Sequence, residues 1–337
     1  MTVSGVAMAG YLGFSYGTYL GAVYGSLFPS KLNRNVLDSS VNPDWIWRET
    51  FRQQAVAARA NIDIYDTWLG ERNFVYGLDK SQAEVFASTE ALTAKLNKAP
   101  INDPDFGEVD GTTVDALLGW YSRFRPLWDE LGEVIKSFKA AADGALASDS
   151  AVLKDAGKAA RMMYDLAIAE TREGVFETIT CEADWPKDLA YYYDEMRLFR
   201  EKYPHFGGVA RVAPWNCTFR SFTPPDKVTD LKRAGYPTGL VIQAEGDAQT
   251  AYAGGPAMAT KLRDHLVSVA DEGMHGLYGY NDCASDIIDR YLINGVLPST
   301  HVTCAGDPRP DVPADSAETV SQRPAQQLNV SESVRRT

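Results

Sequence analysis

The segment Gly13-Phe14-Ser15-Tyr16-Gly17 reads G-x-S-x-G, and it constrains the backbone more than any other stretch of the chain. Apolar residues lead into Gly13, a helix-like stretch follows over 16–27, and Pro29 stops it. Asn35-Val36-Leu37-Asp38 then reads as a short buried strand. Strand, sharp turn, helix and strand in that order set a serine hydroxyl on a tight turn at the end of a parallel sheet.

The character changes over residues 43–235, where helical spacing dominates. Trp45, Ile46, Phe51 and Ala55 form one such set, Leu127, Leu131, Val134 and Ile135 another, and Met162, Met163, Leu166 and Ala169 a third. Turn signals such as Asn102-Asp103-Pro104-Asp105 separate the runs. This stretch is too long for a crossover between neighbouring strands, so it reads as a mainly helical insertion. Strand signals return at Leu240-Val241-Ile242-Gln243-Ala244, closed by Glu245-Gly246-Asp247. A helix-like run over 255–265 precedes a short strand at Leu266-Val267-Ser268-Val269, which leads to Gly273-Met274-His275-Gly276. A helix over 284–293 follows, capped by Gly295 and stopped by Pro298. Residues 305–337 are rich in Pro, Asp, Ser and Gln and read as a disordered tail.

A serine hydroxyl is a poor nucleophile without a base, and the base needs a third group to fix its tautomer. On an α/β-hydrolase sheet the chain order is serine, acid, histidine. Ser15, Asp247 and His275 meet that order, each just after a strand. Taken singly each has a blander role: a chance pentapeptide, a turn aspartate, a structural histidine. The other histidines, His205, His265 and His301, lack the combination of order and strand-end position.

Net charge is -12, which disfavours nucleic acid and anionic membrane surfaces as partners. No run approaches the roughly 18 consecutive apolar residues of a membrane span, and the first residues show no signal peptide. The four cysteines, Cys181, Cys217, Cys283 and Cys304, have no C-x-x-C pair and no histidine at zinc-finger spacing, so no metal is expected. They are either paired in sequential order or reduced and buried.

Gly13-Phe14-Ser15-Tyr16-Gly17-Thr18-Tyr19-Leu20-Gly21 resembles the nucleophile turn of the secreted actinobacterial tripeptidyl aminopeptidases, relatives of prolyl aminopeptidases. Asn35–Asp38 with Pro43, the run from Gly246-Asp247 to Ala257-Met258-Ala259, and Gly273-Met274-His275-Gly276 are similar to later parts of that family. So are Asn281-Asp282-Cys283 and Tyr291-Leu292-Ile293-Asn294-Gly295-Val296-Leu297-Pro298 with Cys304. The likeness implies an α/β-hydrolase fold with a large helical cap: core at 1–42 and 236–304, cap at 43–235. It implies Ser15 as nucleophile, Asp247 as orienting acid, His275 as general base and no cofactor. It implies a peptide substrate with a free N-terminus and a secreted protein with disulfides Cys181–Cys217 and Cys283–Cys304. Glu177, Glu182 and Asp184 are candidates to read the substrate amine, and Trp185, Tyr191, Tyr192, Tyr193 and Trp215 to line a pocket or pack the cap. Ala248-Gln249-Thr250-Ala251 departs from the family, whose acid loop tends to carry prolines.

One oxyanion donor in such a fold is the backbone N–H after the nucleophile, here Tyr16; the other comes from a loop after the third strand. With Ser15 so close to Met1, the expectation is a sheet without its N-terminal strands, from a truncated reading frame or a misplaced start. Losing one donor costs about 100- to 1,000-fold in rate. Three outcomes stand: a serine exopeptidase, a carboxylesterase on the same scaffold, or a non-catalytic remnant acting as a binding module.

Overall fold

The computed structural model describes residues 9–167, 173–205, 207–222 and 228–316. The first segment forms β1 (Ala9–Phe14), α1 (Tyr16–Leu27) and β2 (Leu32–Asp38). Then come α2 (Arg48–Gly70), α3 (Asn73–Tyr76), α4 (Gln82–Lys98), β3 (Ile101–Asp103), β4 (Gly107–Val109), α5 (Gly111–Tyr121), α6 (Trp128–Ala142) and α7 (Ala151–Ala167). They are followed by α8 (Glu173–Thr180), α9 (Leu189–Lys202) and α10 (Gly208–Val212). The chain closes with β5 (Leu240–Ala244), α11 (Gly254–Leu262), β6 (His265–Ala270), α12 (Asp282–Asn294) and β7 (His301–Ala305).

Five strands make one parallel sheet in the order β1-β2-β5-β6-β7. Parallel strands need crossovers, and α1, α11 and α12 supply three of them. Strand β5 is buried along its whole length, which is why it reads as an unbroken apolar run. Among the described residues β1 is an outer strand, paired on one side with β2.

The chain divides into two compact units: Met1–Ala57, Arg172–Arg200 and Val209–Asp307 form one, and Ala58–Thr171, Glu201–Gly208 and Pro308–Thr337 the other. The helical stretch between β2 and β5 thus contributes to both. In the first unit α1 lies on the sheet through glycines. A Cβ at Gly21 would come within 2.4 Å of the Tyr11 ring, and one at Gly13 within 2.5 Å of both Tyr11 and the Gly17 carbonyl. Its core gathers Leu37, Val41, Trp47, Phe51, Val241, Met258 and Leu262, all buried. Each buried aliphatic side chain of this kind stabilises by about 1.5–3 kcal/mol.

The second unit packs around aromatics. Trp68 and Trp128 approach to 5.6 Å, and Tyr65 and Tyr76 flank them. Their polar ends are paired: Trp128 Nε1 donates to the Ser122 carbonyl at 2.7 Å and Tyr76 Oη to Asp129 at 2.6 Å. Residues after β7 stay engaged as far as Ser316: Val312 is buried, and the Asp315 amide donates to the Glu71 carbonyl at 2.7 Å. The rest of the expected tail, 317–337, lies outside the described residues.

Three elements differ from the sequence reading. His265 begins β6 instead of ending a helix. Residues 301–305 form β7, paired to β6 with Cys304 opposite Val269. Only Cys304 of that strand is buried, so no apolar run announces it. Asn102-Asp103-Pro104-Asp105 belongs to a hairpin of β3 and β4, strands of three residues each, too short for a period to register. Asp103 Oδ1 closes its turn by accepting the Asp105 and Phe106 amides at 2.8 and 2.7 Å.

Candidate active site

Four parallel strands end side by side, and the candidate residues follow them. Ligand sites of open parallel sheets lie at these carboxyl ends. Ser15 follows β1 at φ 55°, ψ −124°, a left-handed region that costs a non-glycine residue about 1–3 kcal/mol. Its amide donates to the Asp38 carbonyl at 3.1 Å, tying the turn to the end of β2. The Tyr16 N–H is among the first-turn amides of α1, which have no acceptor within the helix.

Asp247 follows β5 and is fully buried. Its Oδ1 accepts the amides of Gln249 and Thr250 at 2.7 and 3.1 Å. Its Oδ2 accepts Thr250 Oγ1 at 2.7 Å and His275 Nδ1 at 2.8 Å. The carboxylate holds the ring proton on Nδ1 and leaves Nε2 as the basic nitrogen. Gln243 braces the same loop, its amide donating to the Thr250 carbonyl at 2.8 Å and its Oε1 accepting the Ser40 amide at 2.7 Å. These bonds tie the Ala248-Gln249-Thr250-Ala251 loop to β5 and to the turn after β2.

His275 follows β6 on a loop held from both sides. Before it, Glu272 Oε1 accepts the Gly273 and Met274 amides, both at 2.8 Å. After it, Asp38 accepts the Leu277 amide at 2.9 Å and the Tyr278 amide at 2.8 Å, and Ser39 Oγ accepts the Gly276 amide at 2.8 Å. Burial pushes Asp38 up to about 6, against the opposing pull of those amides, and raises Glu272 as well. Gly276 takes φ 88°, so its glycine is required; Gly273 is not in that region. A Cβ at Gly276 would stand 3.6 Å from the Phe14 ring, next to Ser15. Asp247 and His275 are therefore hydrogen-bonded, whereas Ser15 Oγ makes no hydrogen bond to His275. Such contacts commonly close only with substrate bound.

The amine-reading candidates separate. Glu177 is engaged by the Asn216 side-chain amide. Asp184 lines a cavity of about 500 Å³ with Arg48, Glu49, Arg52, Trp185 and Tyr191. Glu182 is exposed and close enough to Tyr16 that, after burial, its charge contributes to raising that phenol. Of the aromatics, Tyr192 and Trp185 are buried, and Trp215 stacks on Phe51 at 6.0 Å, so these three pack. Tyr191 and Tyr193 stay exposed. Both disulfides have the sequential pairing, Cys181–Cys217 and Cys283–Cys304.

Asp38, Ser39, Thr250 and Glu272 were not singled out from the sequence. Asp38 stood out only as the polar end of an apolar strand, and nothing local tells such a residue from a turn former.

A family profile described as TAP-like protein matches residues 203–304. The chain is 31% identical over 311 residues to tripeptidyl aminopeptidases of Streptomyces lividans and Streptomyces coelicolor, covering 89% of this chain and 55% of each relative. It is 23% identical over 312 residues to serine protease Hip1 of Mycobacterium tuberculosis, covering 87% of this chain and 57% of that protein. The chain thus spans about half the length of the curated relatives it matches. The match to the TAP-like profile over 203–304 and the likeness to the tripeptidyl aminopeptidases thus fall on a chain whose parallel sheet, with serine, acid and histidine following its strands in that order, is consistent with an α/β hydrolase.

Proposed function

We propose that this chain carries the reacting groups of a serine exopeptidase that releases tripeptides from free N-termini. The observation that carries the reading is the 2.8 Å bond between His275 Nδ1 and Asp247 Oδ2, on loops adjoining the Ser15 turn. The core at 1–42 and 236–304 with a helical cap at 43–235 is part of the same reading. Secretion fits two disulfides, which persist in oxidising compartments.

In the proposed cycle His275 Nε2 takes the Ser15 proton as Oγ attacks the scissile carbonyl. Asp247 stabilises the imidazolium that forms. The Tyr16 N–H donates to the developing oxyanion. The imidazolium then protonates the leaving amine, and water hydrolyses the acyl-enzyme by the same route. Glu182 pairs with the substrate ammonium.

The test uses the longest reading frame that contains this chain, assayed on tripeptidyl anilides, N-acylated counterparts and short acyl esters. Ser15→Ala is expected to lower kcat by about a million-fold; retained activity removes Ser15 as nucleophile. Glu182→Gln is expected to raise KM for free-amine substrates by roughly 10- to 100-fold, the worth of one charge-assisted bond, and to leave acylated ones unchanged. Cleavage of esters alone makes the protein a carboxylesterase, and no Ser15-dependent turnover at all makes it a binding module.

A further inference from the structure

In the second unit, Glu90 lies on α4, Asp115 on α5 and His205 in the turn between α9 and α10. Their side chains converge. His205 Nε2 stands 3.3 Å from Glu90 Oε1 and 3.6 Å from Asp115 Oδ1, and the three ligand atoms all lie within 4.8 Å of one another. None of these atoms makes a hydrogen bond. His205 is only 2% exposed, with both ring nitrogens unpartnered.

Buried polar atoms in native folds are nearly always paired, so an imidazole nitrogen aimed between two carboxylate oxygens with no bond to either needs an explanation. The spacing supplies one. Ligands about 2.0–2.1 Å from a tetrahedral ion stand roughly 3.3–3.4 Å apart. Arg59 in the same unit is engaged elsewhere: its Nε is 2.7 Å from Asp63, and its guanidinium lies 3.8 Å from the centre of the Phe86 ring. Asp66 Oδ1 and Oδ2 are likewise buried with no hydrogen-bond partner.

We propose that Glu90, Asp115 and His205 bind one divalent transition-metal ion of the zinc type, through His205 Nε2 and one oxygen of each carboxylate. An imidazole in the donor set selects this class over Mg²⁺ and Ca²⁺. Two carboxylates balance the ion's charge. Glu90 and Asp115 keep 37% and 29% of their side chains exposed, which opens a path from solvent and room for a water as fourth ligand. The ion joins three chain segments, so its effect is to stabilise this unit, independently of the proposed peptidase chemistry.

The test uses the full chain, stripped with EDTA and equilibrated with Zn²⁺, then with Co²⁺ as a spectroscopic stand-in. The expected result is one zinc per chain with micromolar or tighter affinity, visible Co²⁺ absorption, and a thermal midpoint raised by Zn²⁺ but not by Mg²⁺. His205→Gln and Glu90→Gln are each expected to weaken binding by about tenfold or more. If His205→Gln fails to fold, Glu90→Gln at its half-exposed position still decides the question. No stoichiometric zinc, or equal binding by the wild type and the variants, overturns the proposal.

Discussion

Each compact unit holds a histidine facing carboxylate, and the two arrangements differ in how their lone pairs are used. At Asp247 both oxygens are occupied by the Gln249 and Thr250 amides, the Thr250 hydroxyl and His275. At His205 the carboxylate oxygens stand 3.3 and 3.6 Å away with no hydrogen bond. The first pair is already organised: its hydrogen bonds fix one tautomer and one ring orientation, which a proton-transfer group needs. The second has cost the fold the desolvation of polar groups without the matching bonds, which is what a site awaiting a ligand looks like. Saturated bonding around a titratable pair marks orientation, and unsaturated bonding marks a missing partner.

Substitutions can break or sharpen that contrast. After Ser15→Ala, the largest effect belongs to Asp247→Asn, which keeps the volume but no longer holds the Nδ1 proton. It is expected to lower kcat by about 10,000-fold while leaving the fold intact, read by steady-state kinetics beside circular dichroism. A smaller loss follows from Asp38→Asn, because an amide nitrogen now faces the Leu277 and Tyr278 amides that a carboxylate accepted. A cost of about 1–3 kcal/mol is expected, seen as faster hydrogen exchange at residues 276–278 and a roughly 10- to 100-fold drop in kcat. Unchanged exchange there would mean that Asp38 does not hold the His275 loop.

The smallest effect tests the unsaturated side. Asp66 is buried with neither oxygen bonded, and burial, helped by the Asp63 charge, pushes it up to about 8. The folded chain therefore keeps a proton on Asp66 that the unfolded chain loses near its ordinary value of about 4. Between those values the folded state binds more protons, so the contribution of Asp66 to stability falls as pH rises from about 4 to 8 and is lowest above that. Asp66→Asn removes this dependence. Its thermal midpoint should match wild type near pH 4 and exceed it at pH 9, by about 2–4 °C for each kcal/mol relieved. A parallel pair of pH profiles would refute the assignment.

Much of the first unit was legible because its signals are local. The Ser15 turn, the apolar runs of β2 and β5, and the strand-end positions of Asp247 and His275 all lie within short windows. The strand β7 was not legible, since an edge strand with one buried residue carries no pattern. The hairpin of β3 and β4 was missed for shortness. Searching the cysteines for metal spacing could not reveal Glu90, Asp115 and His205, whose ligands are carboxylates on two helices and a histidine in a distant turn.

The chain order of serine, acid and histidine and the disposition of strands around them were set by the sequence, because each depends on residue type at short range or on order along the chain, whereas the cysteine pairing, left open by the residues alone, was settled by the fold. The bracing of the His275 loop by Asp38 and Glu272, the bonding of the Asp247 carboxylate and the convergence of Glu90, Asp115 and His205 were decided only by tertiary structure. Those features depend on which polar atoms find partners once buried, and that accounting exists only when distant segments meet.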